Sequence, residues 1–75
     1  MTAEINIVEK IKQAIRNIFK ENNGEPLDLK ELVLLVNKQL SDGEINTELV
    51  LMTVDIMRKR FELIKKPGNK ICPNK

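Results

Sequence analysis

The sequence predicts an α+β fold, a three-helix bundle with a small antiparallel β-hairpin at its C-terminal end, in the order helix, short strand, helix, helix, strand, strand. Three observations predict it. Three successive stretches repeat apolar residues at three- and four-residue spacing, the signature of amphipathic helices. Turn-forming clusters, "ENNG", "SDG" and "KPGN", punctuate the chain between them. Beyond the third stretch the helical period gives way to two short apolar-containing runs on either side of Pro67-Gly68.

In the first helix, "AEINIVEKIKQAIRNIFKENNG", the stripe is Ile7, Val8, Ile11, Ala14, Ile15, Ile18 and Phe19. Thr2, or Asn6 with Glu9, is expected to cap its start, and Gly24 to end it in the left-handed conformation. Pro26 then extends the backbone at Glu25, so Leu27 begins a very short strand before Asp28 caps the second helix with Glu31 as box partner. Leu29, Leu32, Val33, Val36 and Leu40 form the buried stripe of that helix, with Leu34 and Leu35 to either side, and "SDG" closes it.

The third helix, in "INTELVLMTVDIMRKRF", is capped by Asn46 with Ile45 stapling across the cap. It is apolar around most of its circumference and is expected to be the most buried of the three. Leu51 falls outside the main stripe, beside Asp55 and Arg58. Two strands follow, Phe61 to Lys65 and Lys70 to Cys72, joined by "KPGN", in which Pro67 presets one central position and Gly68 accepts positive φ at the next. Pro73 stops the second strand. A plain three-helix bundle with a disordered basic tail is the alternative fold.

Composition narrows the function. Seventy-five residues are expected to form one domain, 1–75, with an almost wholly aliphatic core, since Phe19 and Phe61 are the only aromatic residues. There is no His and one Cys, so neither a tetrahedral zinc site nor an imidazole-activated nucleophile can be assembled, and Cys72 has no internal disulfide partner. No Gly-rich phosphate loop is present, and the acidic residues fall at caps and on exposed helix faces. The chain is read as a non-enzyme with no cofactor and no metal. Without a membrane-length apolar run or a signal-peptide plan, an intracellular location, cytoplasmic or nuclear, is expected.

Charge is distributed unevenly. In "RKRFELIKKPGNKICPNK", Arg58, Lys59, Arg60, Lys65, Lys66, Lys70 and Lys75 face one acid, Glu62, which leaves +6. The preceding residues set six basic side chains against ten acidic ones, which leaves −4. A concentrated basic region is the electrostatic footprint of a polyanion partner, although lysines on a hairpin also discourage edge-to-edge aggregation. Nucleic acid, DNA before RNA, is the favoured partner. Arg58, Lys59, Arg60, Lys65, Lys66 and Lys70 are the expected phosphate contacts, and Asn46 and Thr47 the expected base contacts. Asn can read adenine, while the start of the third helix offers no Arg or Lys for guanine before Arg58. Lys10, Lys12, Arg16 and Lys20 either extend the patch or solvate the first helix. Leu34, Leu35 and Leu51 are the expected interface if the partner is instead a protein or a second copy of the chain.

The order of elements resembles the winged-helix fold, in which a right-angled three-helix bundle carries a small sheet whose hairpin is the wing. That resemblance covers nearly the whole chain and implies a DNA-binding or transcription-regulatory role, with the third helix at the major groove and the wing on phosphates. A narrower resemblance is to the C-terminal winged-helix domain of cullins and of the related anaphase-promoting-complex subunit. "AIRNIFK" resembles their "IVRIMK", and "ELVLLVNKQLS" and "VDIMRKRFELIKK" resemble their second helix and their third helix running into the wing. It implies a protein-interaction module, and places Lys20 at the lysine that carries a ubiquitin-like modifier there; a solvated lysine favourable to the helix dipole is the other account of Lys20.

Overall fold

The computed structural model describes residues 3–40 and 45–74. The elements run α1 (Ala3–Glu21), β1 (Leu27–Asp28), α2 (Leu29–Leu40), α3 (Thr47–Lys59), β2 (Leu63–Lys66) and β3 (Lys70–Pro73). Three helices and one antiparallel three-stranded sheet make an α+β fold. The sheet order is β1-β3-β2, so the last strand lies in the middle.

The periodic stripes become the core. Ile11, Ile15, Leu32, Val36, Val50 and Met57 are fully buried, and Ile7, Ile18, Phe19, Val54, Leu63 and Ile71 join them. Alpha-1 supplies the most buried apolar side chains, whereas α3 buries Val50, Thr53, Val54 and Met57 and leaves Leu51 and Met52 exposed. The expectation that α3 is the most buried helix therefore fails, because apolar count alone does not say which sides of a helix meet neighbours. Thr53 has no exposed surface and is satisfied by donating its hydroxyl to the Leu49 carbonyl at 2.8 Å.

Local signals set most boundaries. Alpha-1 is already helical at Ala3, so Asn6 lies inside it and is not its cap; Thr2 and the "SDG" closure of α2 lie outside the described residues. Its C-terminus closes with nested hydrogen bonds from Gly24 N–H to Phe19 O at 2.8 Å and from Asn23 N–H to Lys20 O at 3.3 Å. Asn23, at φ +60°, takes the left-handed position that had been expected of Gly24, and Gly24 follows at φ +74°. Asp28 caps α2 by accepting from Lys30 N–H at 2.9 Å. Asn46 caps α3 by accepting from Leu49 N–H at 2.9 Å, with Ile45 and Val50 both buried in the core beneath it.

The end of α3 differs from expectation. Phe61 does not begin a strand. It adopts φ +62°, Phe61 N–H reaches Arg58 O at 3.0 Å and Glu62 N–H reaches Met57 O at 2.8 Å, a helix-ending motif usually built on glycine. The strand starts two residues later, at Leu63, and β3 extends one residue further than expected, to Pro73. Pro73 is tolerated because β1 pairs with β3 only at Lys70 and Ile71, so at Pro73 only the β2 side is occupied.

Candidate nucleic-acid interface

The hairpin is pinned to the bundle at both ends. At its turn, Gly68 (φ +81°) and Asn69 (φ +62°) both take left-handed conformations, and the Asn69 carbonyl accepts the Leu29 N–H at 3.0 Å. At its base, Asn74 donates its side-chain amide to Phe61 O at 2.8 Å and its backbone N–H to Glu62 O at 3.0 Å. These contacts fix where the basic residues stand.

Register then sorts the lysines. Residues directly opposite across an antiparallel ladder share a face, and Lys65 stands opposite Ile71, with Lys66 opposite Lys70. Leu63 and Ile71 are buried, so theirs is the core-facing side; Lys65, on that side, emerges beyond the core into a shallow groove against α3, beside Asp55 and Arg58. Lys66 and Lys70 occupy the outer face with Asp28, whose carboxylate is turned to Lys30 N–H. The hairpin thus presents positive charge on both faces. Two like charges directly opposite destabilise a hairpin by a few tenths of a kcal/mol to about 1 kcal/mol.

The other basic residues divide by partner. Among the described residues the side chains of Arg58, Lys65, Lys66 and Lys70 form no hydrogen bond or ion pair. Lys59 pairs with Asp55 at 3.3 Å, one helical turn away. Arg60 is the C-cap residue of α3 and lies near Glu62. From α1, Arg16 reaches the Glu62 carboxylate at 2.7 Å, and this hydrogen bond holds the Glu62 carboxyl below the ordinary glutamate range, with lesser help from Lys12 and Arg60. The one acid of the basic tail is therefore held chiefly from outside the tail, by Arg16, and forms no ion pair with a hairpin lysine. Lys12 is buried with its ammonium 3.4 Å from Glu9, so it belongs to the bundle and not to an extended patch. Arg16 and Lys20 instead border a separate, wider groove floored by Ile15, Phe19, Met57 and Leu63; its acid, Glu62, is already held by Arg16, which leaves it an apolar crevice without matched reactive groups.

Of the expected base contacts, Thr47 is exposed at the first position of α3, and Asn46 has its side-chain oxygen committed to the cap. The three leucines do not form one surface. Leu34, 68% exposed, and Leu51, 40% exposed, line a common groove with Val33, Thr47, Lys30 and Asn69. Leu35 is half-buried against the core and borders a different groove, with Ile18, Leu27 and Gln39. Sequence reasoning missed Asn69, which anchors the turn, and Arg16, whose link to Glu62 spans 46 residues and leaves no local trace.

No helix of the described residues is long and apolar enough to cross a membrane, and among those residues no group of three His, Cys, Asp or Glu could hold a metal ion. Cys72 is a buried free thiol. Compared with family models, with curated proteins and with solved structures, the chain has no match.

Proposed function

We propose that this protein is a non-enzymatic winged-helix binder of duplex DNA, with the β2–β3 hairpin as the wing, a role suited to transcription regulation. The order of elements supports the winged-helix assignment, as do the central position of the last strand and the hairpin standing beside α3. On this reading α3 approaches the major groove while Arg58, Lys65, Lys66 and Lys70 bind phosphates on either side.

The observation that carries the proposal is Lys66 opposite Lys70, two cations without an ion pair in a register where they repel, with Asp28 opposite Lys70 on its other side and with Lys65 and Arg58 unpaired on the core-facing side. That like-charge pair costs stability in the free protein to the extent that Asp28 does not offset it, and a bound anion relieves it. Duplex DNA presents one phosphate charge about every 1.7 Å along its axis and releases condensed counterions when cations replace them. Specific folding needs none of these four charges, because the bonds that fix the hairpin are backbone bonds and the Asn74 amide.

The test is an amide chemical-shift titration of the intact chain with a short DNA duplex. The proposal expects shifts concentrated at Thr47–Leu51, Arg58 and Lys65–Lys70. Shifts confined to the groove bordered by Arg16 and Lys20, or none at low salt, would overturn it.

A second reading, a protein-interaction module on the same fold as in the cullin-like resemblance, is favoured by one observation, the exposure of Leu34 next to Leu51. Its occupant would be an acidic protein or a second copy of the chain. It predicts binding that survives neutralisation of Lys66 and Lys70 and fails on Leu34→Ser.

A further inference from the structure

The face of α3 that adjoins the hairpin is not uniformly basic. The first two turns of α3 expose Thr47, Glu48, Leu51 and Met52, and the first cation of the helix is Arg58. Thr47 and Leu51 share a groove with Leu34, and Leu51 also lines the neighbouring groove that holds Arg58 and Lys65. Lys30 stands on one margin of this apolar strip and Arg58 with Lys65 on the other. Cations therefore flank a strip of methyl groups, with Asp28 beside Lys30 on the first margin and Asp55 beside Arg58 and Lys65 on the second.

We infer that Thr47 and Leu51 contact the C5-methyl groups of thymine in the major groove, so that the protein prefers duplexes rich in A·T pairs. The inference rests on the DNA-binding reading above and names what that site selects. Apolar side chains in the middle of a phosphate-gripping surface weaken binding unless they cover apolar surface on the partner, and the thymine methyl is the apolar group that the major-groove edges offer. The same side chains bear on the alternative selections. Guanine is read by Arg or Lys donating to its O6 and N7, and α3 exposes neither before Arg58. Cytosine offers an amine to a carboxylate; Asp55 is engaged by Lys59 at 3.3 Å, and Glu48, the exposed carboxylate of the first two turns, lines neither groove. A bidentate adenine contact from Asn46 competes with its cap bond to Leu49.

The test compares two duplexes of one A·T-rich sequence, the first with thymine and the second with uracil throughout, which removes the methyl and leaves every hydrogen-bonding edge in place. Binding is followed by fluorescence anisotropy at fixed low salt. The inference expects the thymine duplex to bind about fourfold more tightly per contacted methyl. It also expects the ratio to fall toward one in Leu51→Ala. Leu51 is partly exposed, and Thr47→Ser, which deletes a methyl and keeps the hydroxyl, gives a second variant with the same expected direction. Equal affinity for the two duplexes, with binding that still weakens steeply in salt, overturns methyl recognition and leaves the phosphate grip standing. Absence of binding to either duplex overturns both.

Discussion

The backbone N–H of Leu29 donates to the carbonyl oxygen of Asn69 at 3.0 Å, joining the first residue of α2 to the last residue of the hairpin turn. One hydrogen bond thus serves two needs. It satisfies a donor that has no partner within α2, and it stops the basic hairpin from swinging away from the bundle. Asn69 directs its carbonyl there from φ +62°, a conformation open to Asn and Gly and strained for branched side chains. Asn69→Gly is expected to change stability by only a few tenths of a kcal/mol. Asn69→Val should cost about 1–2 kcal/mol and speed amide exchange at Leu29, as read by thermal unfolding and hydrogen exchange.

Phe61 carries a backbone strain that its burial does not offset. At φ +62° and 74% exposed, it gains little burial and holds a left-handed backbone fixed by Asn74. Phe61→Gly is expected to stabilise the protein by about 1 kcal/mol, a rise in Tm of about 4–8 °C for a domain of this size. Asn74→Ala should lower stability by about 0.5–1 kcal/mol, since the Phe61 carbonyl it leaves can reach water.

The Arg16–Glu62 pair predicts an acid limb. Arg16 holds the Glu62 pKa below its ordinary value of 4.5, so the folded protein binds that proton less readily than the unfolded chain. The contribution is complete above the ordinary value and disappears as pH falls through the lowered folded one. Both side chains are substantially exposed, so its size lies within roughly 0–1 kcal/mol and shrinks with salt. Glu62→Gln should be less stable than wild type at neutral pH by that amount, and the two should converge in acid. A constant gap down to pH values below the folded pKa would show that the pair is not the cause.

Much of this arrangement is written locally and so is legible in the sequence. Ile11, Ile15, Leu32 and Val36 declare their stripes by spacing, Asn46 and Asp28 declare their caps by residue type, and Pro67-Gly68 declares the turn. What is not legible is set by neighbours distant in the chain. "RKRFELIKK" reads as a helix running into a strand at Phe61, because a bulky residue at positive φ contradicts backbone preference and is held there by Asn74, 13 residues on. The basic residues looked like one cluster because they are adjacent in sequence. Register separates Lys65 from Lys66 and Lys70, and ion pairing removes Lys59. Likewise Leu34 and Leu35 are neighbours in the chain but border different grooves, since consecutive helix positions point about 100° apart.

Asn46 separates structure from recognition. Its side chain caps α3, so Asn46→Ala is expected to lose about 1 kcal/mol of stability, while Asn46→Ser, which caps equally well, should lose little. If the cap is its whole role, Asn46→Ser also keeps wild-type DNA affinity and A·T preference in anisotropy titrations. A loss of adenine-dependent affinity in a stable Asn46→Ser protein would make it a base contact after all.

Lys66 and Lys70 predict opposite signs for stability and binding. Lys66→Thr removes the repulsion and adds strand propensity, so it should raise stability by a few tenths of a kcal/mol. The same substitution should weaken DNA binding alike on every duplex, as expected of a phosphate contact.

The most direct measurement is the dependence of DNA affinity on salt, comparing the intact chain with Lys65→Ala, Lys66→Ala, Lys70→Ala. Each phosphate contact contributes about 0.9 to the slope of log affinity against log salt. The account predicts steeply salt-dependent binding in the wild type and a slope shallower by between two and three units in the triple variant, with its fold intact by circular dichroism. An unchanged slope, or no wild-type binding at low salt, would contradict the claim that the hairpin is a phosphate clamp.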